Sequence, residues 1–427
     1  MITLLKRAFH FAIAWISAVF YRFPSRKIYV LGVTGTKGKS TVLELINAIL
    51  ESAGKKTALL SSVRVKVGED SEKNWTSMTM PGRGFIQRFL RRAVNNSCDY
   101  ALIEVTSQGV PQYRHRFVDF DAALVTNLHP EHIEAHGSFE RYRAAKVRFF
   151  YDVAHRSTKP EKLFFINEKL DGREYFERAA NGSGKVLFFH RDDFIYNDLS
   201  SRYRLDSRDA KKMISGWLQS DFNLENVAAA VAFARAQGIS PDIIFNTLEH
   251  FQGVQGRMEY VIRQPFAVVV DYAHTPDSLE AVYKTLSNDG AHKLIAVLGA
   301  AGGGRDQWKR PKMGAIAARY CKYIYLTNED PYDEPPLEII EQIERGIWEE
   351  RGRSNPETDY ELVLDRKEAI RRALLHAKRG DVVILTGKGS EPWLHMARGK
   401  KIAWSERGVV EELLAIDGNA RGGVRSK

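Results

Sequence analysis

The stretch Ile28-Tyr29-Val30-Leu31-Gly32-Val33-Thr34-Gly35-Thr36-Lys37-Gly38-Lys39-Ser40-Thr41 decides the fold. Its opening run is apolar and rich in β-branched residues, which predicts a buried strand over 28–33. That strand empties into a glycine-rich turn ending Gly38-Lys39-Ser40, and residues 42–50 continue at helical spacing. Strand, glycine turn and helix start together make a phosphate cradle. Glycines let backbone N–H groups close on an anion, the helix dipole favours negative charge, and a Lys reaches terminal phosphates. Val33 stands where the ordinary phosphate loop has its first glycine. The pattern present is therefore the narrower Gly32-x-x-Gly35-Thr36-x-Gly38-Lys39-Ser40.

Outward from this loop, 427 residues predict two or three domains. The excess of 63 basic over 53 acidic residues suits anionic small molecules. The basic residues are spread along the chain rather than massed, which argues against a nucleic-acid platform. Cys98 and Cys321 have no metal-ligand spacing, and a reduced, cytoplasmic protein without disulfides is expected. Lys6-Arg7 precede an apolar run over 8–20 that is too short and interrupted to span a bilayer, and no Ala-x-Ala cleavage pattern follows. Leu5, Phe9, Ala12, Ile16 and Val19 recur at helical spacing and predict a helix packed on the following domain. The competing reading is peripheral membrane contact through residues 1–27, suggested by Trp15, Arg22, Arg26 and Lys27.

Apolar runs at 28–33, 57–60, 100–105, 122–126 and 163–166 alternate with amphipathic segments. They predict a mostly parallel sheet covered on both faces, an α/β domain of the phosphate-loop ATPase type over 28–255. Residues 68–79 read as a polar, substrate-facing loop, and 221–237 as a helix with an Ala-rich packing face. A hinge at 252–256 leads into a second α/β pattern over 256–418, Rossmann-like but without a dinucleotide fingerprint. Its expected strands are 267–270, 294–298, 323–326 and 382–385. The Gly- and Arg-rich tail over 419–427 is expected to be disordered.

Ligands of open α/β sheets gather at the carboxyl ends of strands. Glu104, Ser107, His132, His136 and Lys146 all follow expected strand ends on the edge that receives the phosphate loop. A nucleoside triphosphate there needs a divalent metal, for which hydroxyl, carboxylate and imidazole ligands are suitable.

These residues resemble the Mur ligase family of ATP-dependent amino-acid ligases, which also includes folylpolyglutamate synthetases. The matching motifs run from Gly32 to Glu406. They include Gly35-Thr36-Lys37-Gly38-Lys39-Ser40, Glu104-Val105-Thr106-Ser107-Gln108-Gly109, Tyr142 to Lys146, Asp221-Phe222-Asn223, Gly256-Arg257-Met258-Glu259, Asp271-Tyr272-Ala273-His274-Thr275-Pro276-Asp277 and Gly387-Lys388-Gly389-Ser390-Glu391. Gly256-Arg257-Met258-Glu259 and Asp271 to Asp277 look most like MurE enzymes, which add an amino acid to a UDP-MurNAc peptide in peptidoglycan synthesis. The resemblance implies that ATP phosphorylates a carboxylate and that an amine then displaces phosphate to leave an amide. It implies ATP contacts from Gly35, Thr36, Lys37, Gly38, Lys39, Ser40 and Thr41, with Asn223 on adenine, Arg257 on phosphate, Asp271 on ribose and His274 nearby. Ser40 and Glu104 would hold one Mg²⁺. His132 and a carbamylated Lys146 would hold a second, so Lys39, Glu104, His132 and Lys146 form the expected catalytic set. The substrate side would use Thr79, Ser107, Arg114, Arg305, Asp330, Tyr332, Gly387 and Glu391.

Three departures accompany the resemblance. Only a helix precedes the phosphate strand, where MurE enzymes carry a UDP-binding domain. Glu329-Asp330-Pro331-Tyr332 stands where diaminopimelate-adding enzymes carry Asp-Asn-Pro-Arg, so the Arg that grips the distal carboxylate is replaced by Tyr332, and diaminopimelate is disfavoured. Glu329, Asp330 and Glu391 are then the expected receivers of an amine. Ser220 replaces a customary Gly, and Thr79-Met80-Pro81 matches the acceptor loop only in part. The competing functions are the same chemistry on a folate or cyanophycin-type acceptor, and a non-catalytic ATP-binding scaffold. Small-molecule substrates, no nucleic acid and a monomer complete the expectations.

Overall fold

The computed structural model describes residues 2–76, 78–82, 84–131, 133–288, 292–304, 306–351 and 358–422. They form two compact units, Met1–Gln252 and Gly253–Lys427. In the first unit, β1 (Tyr29–Thr34) lies inside an eight-stranded sheet. The other strands are β2 (Thr57–Leu60), β3 (Arg64–Val67), β4 (Asp70–Lys73), β5 (Tyr100–Glu104), β6 (Ala122–Val125), β7 (Leu163–Asn167) and β8 (Lys185–Phe189). Their order is β4-β3-β2-β5-β1-β6-β7-β8, with β2, β5, β1, β6, β7 and β8 parallel and β3 and β4 antiparallel at one edge. The central strands are buried on both faces, which is why they read as unbroken apolar runs rather than alternating ones. Gly32 inside β1 has a packing cause: a Cβ there would fall 2.4 Å from Phe149 Cζ on the covering helix Phe139–Arg156.

Two expectations are corrected in this unit. The segment 68–79 is not simply a loop, because β4 pairs with β3 within it. Its Asp-Ser-Glu-Lys sequence has no apolar alternation, since β4 is a charged, exposed edge strand of the kind that discourages further pairing. The second concerns α1 (Ile2–Phe20), which does meet the domain but with the opposite face. Phe11 packs edge-on against Tyr113 and Phe117 (centroids 5.5 and 5.2 Å), Ala18 is buried, and Ser17 abuts Gly84. Phe9, Ile16 and Val19, expected to face inward, are exposed. Spacing identified an apolar stripe, but this helix is apolar on most of its circumference, so spacing could not choose the docking side. The side chain of Leu5 lies outside the described ones.

The second unit holds a six-stranded sheet of β9 (Glu259–Ile262), β10 (Ala267–Asp271), β11 (Leu294–Leu298), β12 (Tyr323–Leu326), β13 (Asp359–Leu362) and β14 (Val382–Thr386). The order is β13-β12-β11-β14-β10-β9, parallel except for β9. A small hairpin of β15 (Trp393–His395) and β16 (Lys401–Ala403) follows. The last helix, Glu406–Gly422, runs into the segment expected to lack structure, and residues 423–427 lie outside the described ones.

Candidate active site

The phosphate loop leaves β1 at Thr34 and enters α2 (Lys39–Ser52) through two glycines in the left-handed region, Gly35 (φ 141°) and Gly38 (φ 80°). Neither position admits a side chain. A Cβ on Gly35 would lie 2.0 Å from Thr126 Oγ1, and one on Gly38 would lie 2.1 Å from Asn226 Oδ1. The loop is pinned from β6: Lys37 N donates to Asn127 Oδ1 (2.9 Å), and Thr126 Oγ1 and Asn127 Nδ2 donate to Lys37 O (2.7 and 3.0 Å). Thr36 is held by His129 N (2.9 Å) and by the Tyr142 hydroxyl at 2.9 Å. Thr36, Ser40 and Thr41 are buried, so the loop is a preformed cradle rather than a flexible strap.

Because β1 and β5 are adjacent and parallel, α2 and the end of β5 meet. Ser40 Oγ donates to Glu104 Oε2 (2.8 Å), and Lys39 Nζ lies 3.8 Å from Glu104 Oε1 while donating to Thr36 O (2.9 Å). Ser62 joins them, its N–H donating to Glu104 Oε2 (3.0 Å) and its hydroxyl 2.9 Å from Ser40 Oγ. A carboxylate and hydroxyls on one edge are hard oxygen donors that fit Mg²⁺ completed by phosphate and water. The described residues hold no group of three or more His, Cys, Asp or Glu side chains of metal-binding geometry. Such a cage is not required, since Mg²⁺ at phosphates takes one or two carboxylates.

Lys146 is the unusual member. It rises from the helix Phe139–Arg156 into the sheet edge, buried, with Nζ donating to Gly35 O (2.6 Å) and lying 4.6 Å over the Tyr142 ring. Burial, aided by the Lys39 charge, pushes its amine well below the ordinary lysine range, against the opposing pull of Glu131 and Glu104. His132 lies outside the described residues. Ser107 accompanies the group through His136 Nε2 at 3.2 Å.

Of the remaining expected contacts in this unit, Asn223 begins the helix Asp221–Ala236, donating to Trp217 O (2.8 Å) and accepting from Asn226 (3.3 Å). Arg114 donates to Met80 O and to Gln112 Oε1 (2.6 Å), which anchors the loop bearing Thr79. Ser62, Thr126, Asn127 and Tyr142 received no role from sequence. Tyr142 sat inside a recognised motif, whereas nothing in the pattern singled out Ser62.

In the second unit, Asp271 ends β10 and accepts from Met258 N and Ala273 N (both 2.7 Å), and burial raises its carboxyl despite Arg257. Arg257 lies 4.3 Å over the Tyr272 ring, and His274 Nδ1 is 2.8 Å from Tyr272 O. The Gly387–Glu391 turn holds a buried charge cluster that sequence did not foresee. Lys388 Nζ donates to both oxygens of Asp330 (2.9 Å each) and to Glu391 Oε2 (2.7 Å), while Tyr272 OH donates to Glu391 Oε1 (3.0 Å). Burial lowers the Lys388 pKa, but Glu391, Asp330 and Glu329 outweigh it and raise it. Asp330 and Glu391 thus already share one buried cation. Glu329 is different: it is buried, its carboxyl is raised by burial, and its Oε2 has no hydrogen-bond partner. Gly387 (φ 101°) leaves room for it, since a Cβ there would lie 2.1 Å from that oxygen. Tyr332, at φ 52°, stacks on His395 (5.1 Å, 16°). Arg305 lies outside the described residues.

A phosphate cradle opening onto an acidic, Mg²⁺-suited sheet edge defines a nucleotide-binding site, and the family matches that follow give it the class of ATP-dependent ligases. Residues 33–234 match the Mur ligase middle domain, and residues 256–389 match the Mur ligase glutamate ligase domain. The chain belongs to the Mur ligase family. It is 37% identical to the UDP-N-acetylmuramoyl-L-alanyl-D-glutamate–2,6-diaminopimelate ligase of Syntrophomonas wolfei, over 94% of this chain and 81% of that protein. It is 36% identical to the UDP-N-acetylmuramyl-tripeptide synthetase of Roseiflexus sp., over 89% of this chain and 77% of that protein. The fold is shared with E. coli FolC solved with DHPP and ADP, at 17% identity and a TM-score of 0.65 over 96% of this chain and 93% of that one.

Proposed function

We propose that this protein is a MurE-type ligase that joins an amino acid to the carboxylate of a peptidoglycan-precursor peptide. The observation that carries this reading is the Ser40–Glu104 contact at 2.8 Å beside the glycine cradle and Lys39. It sets hard oxygen ligands next to the place where triphosphate would lie. The acceptor carboxylate oxygen attacks the γ-phosphorus of ATP and ADP leaves. The incoming neutral amine then attacks the acyl carbon, phosphate departs and the amine loses a proton. Lys39 and the loop N–H groups hold the triphosphate in line, which is the main catalytic task in phosphoryl transfer. Ser40 and Glu104 would hold Mg²⁺, which when bound would supply neutralisation of phosphate charge.

The finer reading gives Lys146 a chemical modification. Burial disfavours the charged form of the Lys146 amine, and the neutral amine adds to carbon dioxide, forming a C–N bond and releasing one proton. The resulting carbamate would be an anionic oxygen ligand for a second Mg²⁺, with His132 as its partner. ATP contacts from Asn223, Arg257, Asp271 and His274, and acceptor contacts from Thr79, Ser107, Arg114 and Arg305, belong to the same reading.

For the amino acid, Tyr332 supplies no cation for a distal carboxylate, and the buried Glu329 has one oxygen, Oε2, with no hydrogen bond. The missing cation disfavours the distal carboxylate of diaminopimelate, and an acidic group suits a distal amine, so an amino acid with a terminal amine and no second carboxylate, such as lysine, is favoured. The test is phosphate release that requires acceptor peptide and amino acid together, screened over all amino acids plus ornithine and diaminopimelate with product mass as readout. Release independent of either substrate, or a folate product, would overturn the reading. Intact mass with and without bicarbonate tests the carbamate.

A further inference from the structure

The face of α1 that does not meet the domain is a continuous apolar surface. Phe9 is 60% exposed, Trp15 51%, Ile16 57%, Val19 45% and Phe20 75%. The 19 residues of α1 include no acidic one, and no acidic residue precedes Glu44 in the chain. Lys6 and Arg7 lie toward one end of the helix, and Arg22, Arg26 and Lys27 follow the other. Exposed Arg88 and Arg92 lie on α3 (Phe85–Asn95), whose preceding Gly84 is in contact with Ser17.

The helix is held firmly on its other side. Phe11 sits on Tyr113 and Phe117, Arg91 Nε and Nη2 grip Tyr21 O (3.0 and 2.6 Å), and Arg26 pairs with Asp119 (3.0 Å). Arg22 (φ 56°) and Phe23 (φ 48°) turn the chain sharply out of the helix. The apolar face is therefore presented outward by a fixed mount.

We infer that α1 lies flat in the interfacial layer of an anionic lipid bilayer, with Phe9, Ile16 and Phe20 buried among the acyl boundary and the flanking basic residues on acidic headgroups. Three observations select this occupant. No helix among the described residues is long and apolar enough to cross a membrane, so α1 cannot span. Lying flat, its 19 residues offer about 28 Å of apolar edge, and interfacial helices bury such a face 5–10 Å deep, roughly, with aromatic residues at headgroup level. Self-association through the same face is opposed by charge. Both ends are basic, so parallel or antiparallel copies would each bring like charges together.

The test uses the full-length chain and sedimentation with vesicles of phosphatidylcholine alone or with added phosphatidylglycerol, at low and physiological salt. At least tenfold stronger partition onto the anionic vesicles is expected, weakened by salt. A Phe9→Asp/Ile16→Asp variant is expected to lose it while keeping its circular dichroism spectrum and ATP affinity. Lys6→Glu and Arg7→Glu should each reduce anionic binding about fivefold or more. Absence of vesicle binding, binding undiminished in Phe9→Asp/Ile16→Asp, or a lipid-free dimer abolished by that variant would each overturn the inference.

Discussion

Replacing Lys388 with Met removes the single cation that Asp330 and Glu391 share. Lys388 is fully buried and Asp330 nearly so, with three hydrogen bonds of 2.7–2.9 Å between the ammonium and the two carboxylates. Breaking a buried pair by deleting one partner costs about 3–5 kcal/mol, because the remaining charge is stranded away from water. Glu391 is partly exposed and retains the Tyr272 hydroxyl, so most of that cost falls on Asp330. For a unit of this length about 1 kcal/mol lowers the melting temperature by roughly 2–4 °C, giving a fall of roughly 6–20 °C. The pH dependence follows from the stranded carboxylate. Its folded-state pKa in the variant is raised above the unfolded value of about 3.9, so its protonated form is favoured in the folded state. The penalty is then smallest below about pH 4 and grows as pH rises through the raised folded value. Calorimetry at pH 4 and pH 7 on the variant, and on the double change Lys388→Met/Asp330→Asn, checks this. The double change should recover more than half of the lost stability at pH 7. A penalty below about 1 kcal/mol, or one independent of pH, would refute the account of a buried cluster held by one cation.

Gly38→Ala should weaken ATP binding at least tenfold in titration calorimetry while the far-ultraviolet spectrum stays native, since a Cβ would meet Asn226 Oδ1 at 2.1 Å in a left-handed turn. Burial raises the Asp152 carboxyl, but hydrogen bonds from His115 and Arg148 and their charge outweigh it and hold it at about 2. A depressed carboxyl contributes stability above its unfolded value that is lost as pH falls from about 4 toward 2. Asp152→Asn should therefore cost about 2 kcal/mol at pH 7 in urea titrations, and almost nothing at pH 2. Tyr332→Arg should shift product mass toward diaminopimelate addition. The left-handed backbone at φ 52° strains both residue types alike, so a loss of folding would not be the expected cause of any change.

The phosphate loop was legible because its chemistry is local: glycine positions, a Lys and a helix start are fixed within a few residues of one another. The interior strands β1, β2, β5, β6, β7, β10, β11, β12 and β14 were legible for a related reason, since burial on two faces makes parallel strands continuously apolar, whereas the edge strands β8, β9 and β13 were not expected. Nor was β4, because an exposed charged strand carries no apolar signal. The Lys388 cluster was hidden for another reason. Asp330 lies 58 residues from Lys388 in sequence, and only the parallel packing of β10, β11, β12 and β14 brings their loops together.

By itself, the amino-acid sequence determined the class of chemistry, because an anion cradle is built from consecutive backbone and needs no distant partner. Only the tertiary structure decided charge states and facing. It buried Lys146, which disfavours the charged form of its amine, set Lys388 between Asp330 and Glu391, and left Glu329 Oε2 without a hydrogen bond. It also chose which side of an almost wholly apolar α1 meets the domain. Desolvation and contact depend on every neighbour in three dimensions, and no local spacing encodes them.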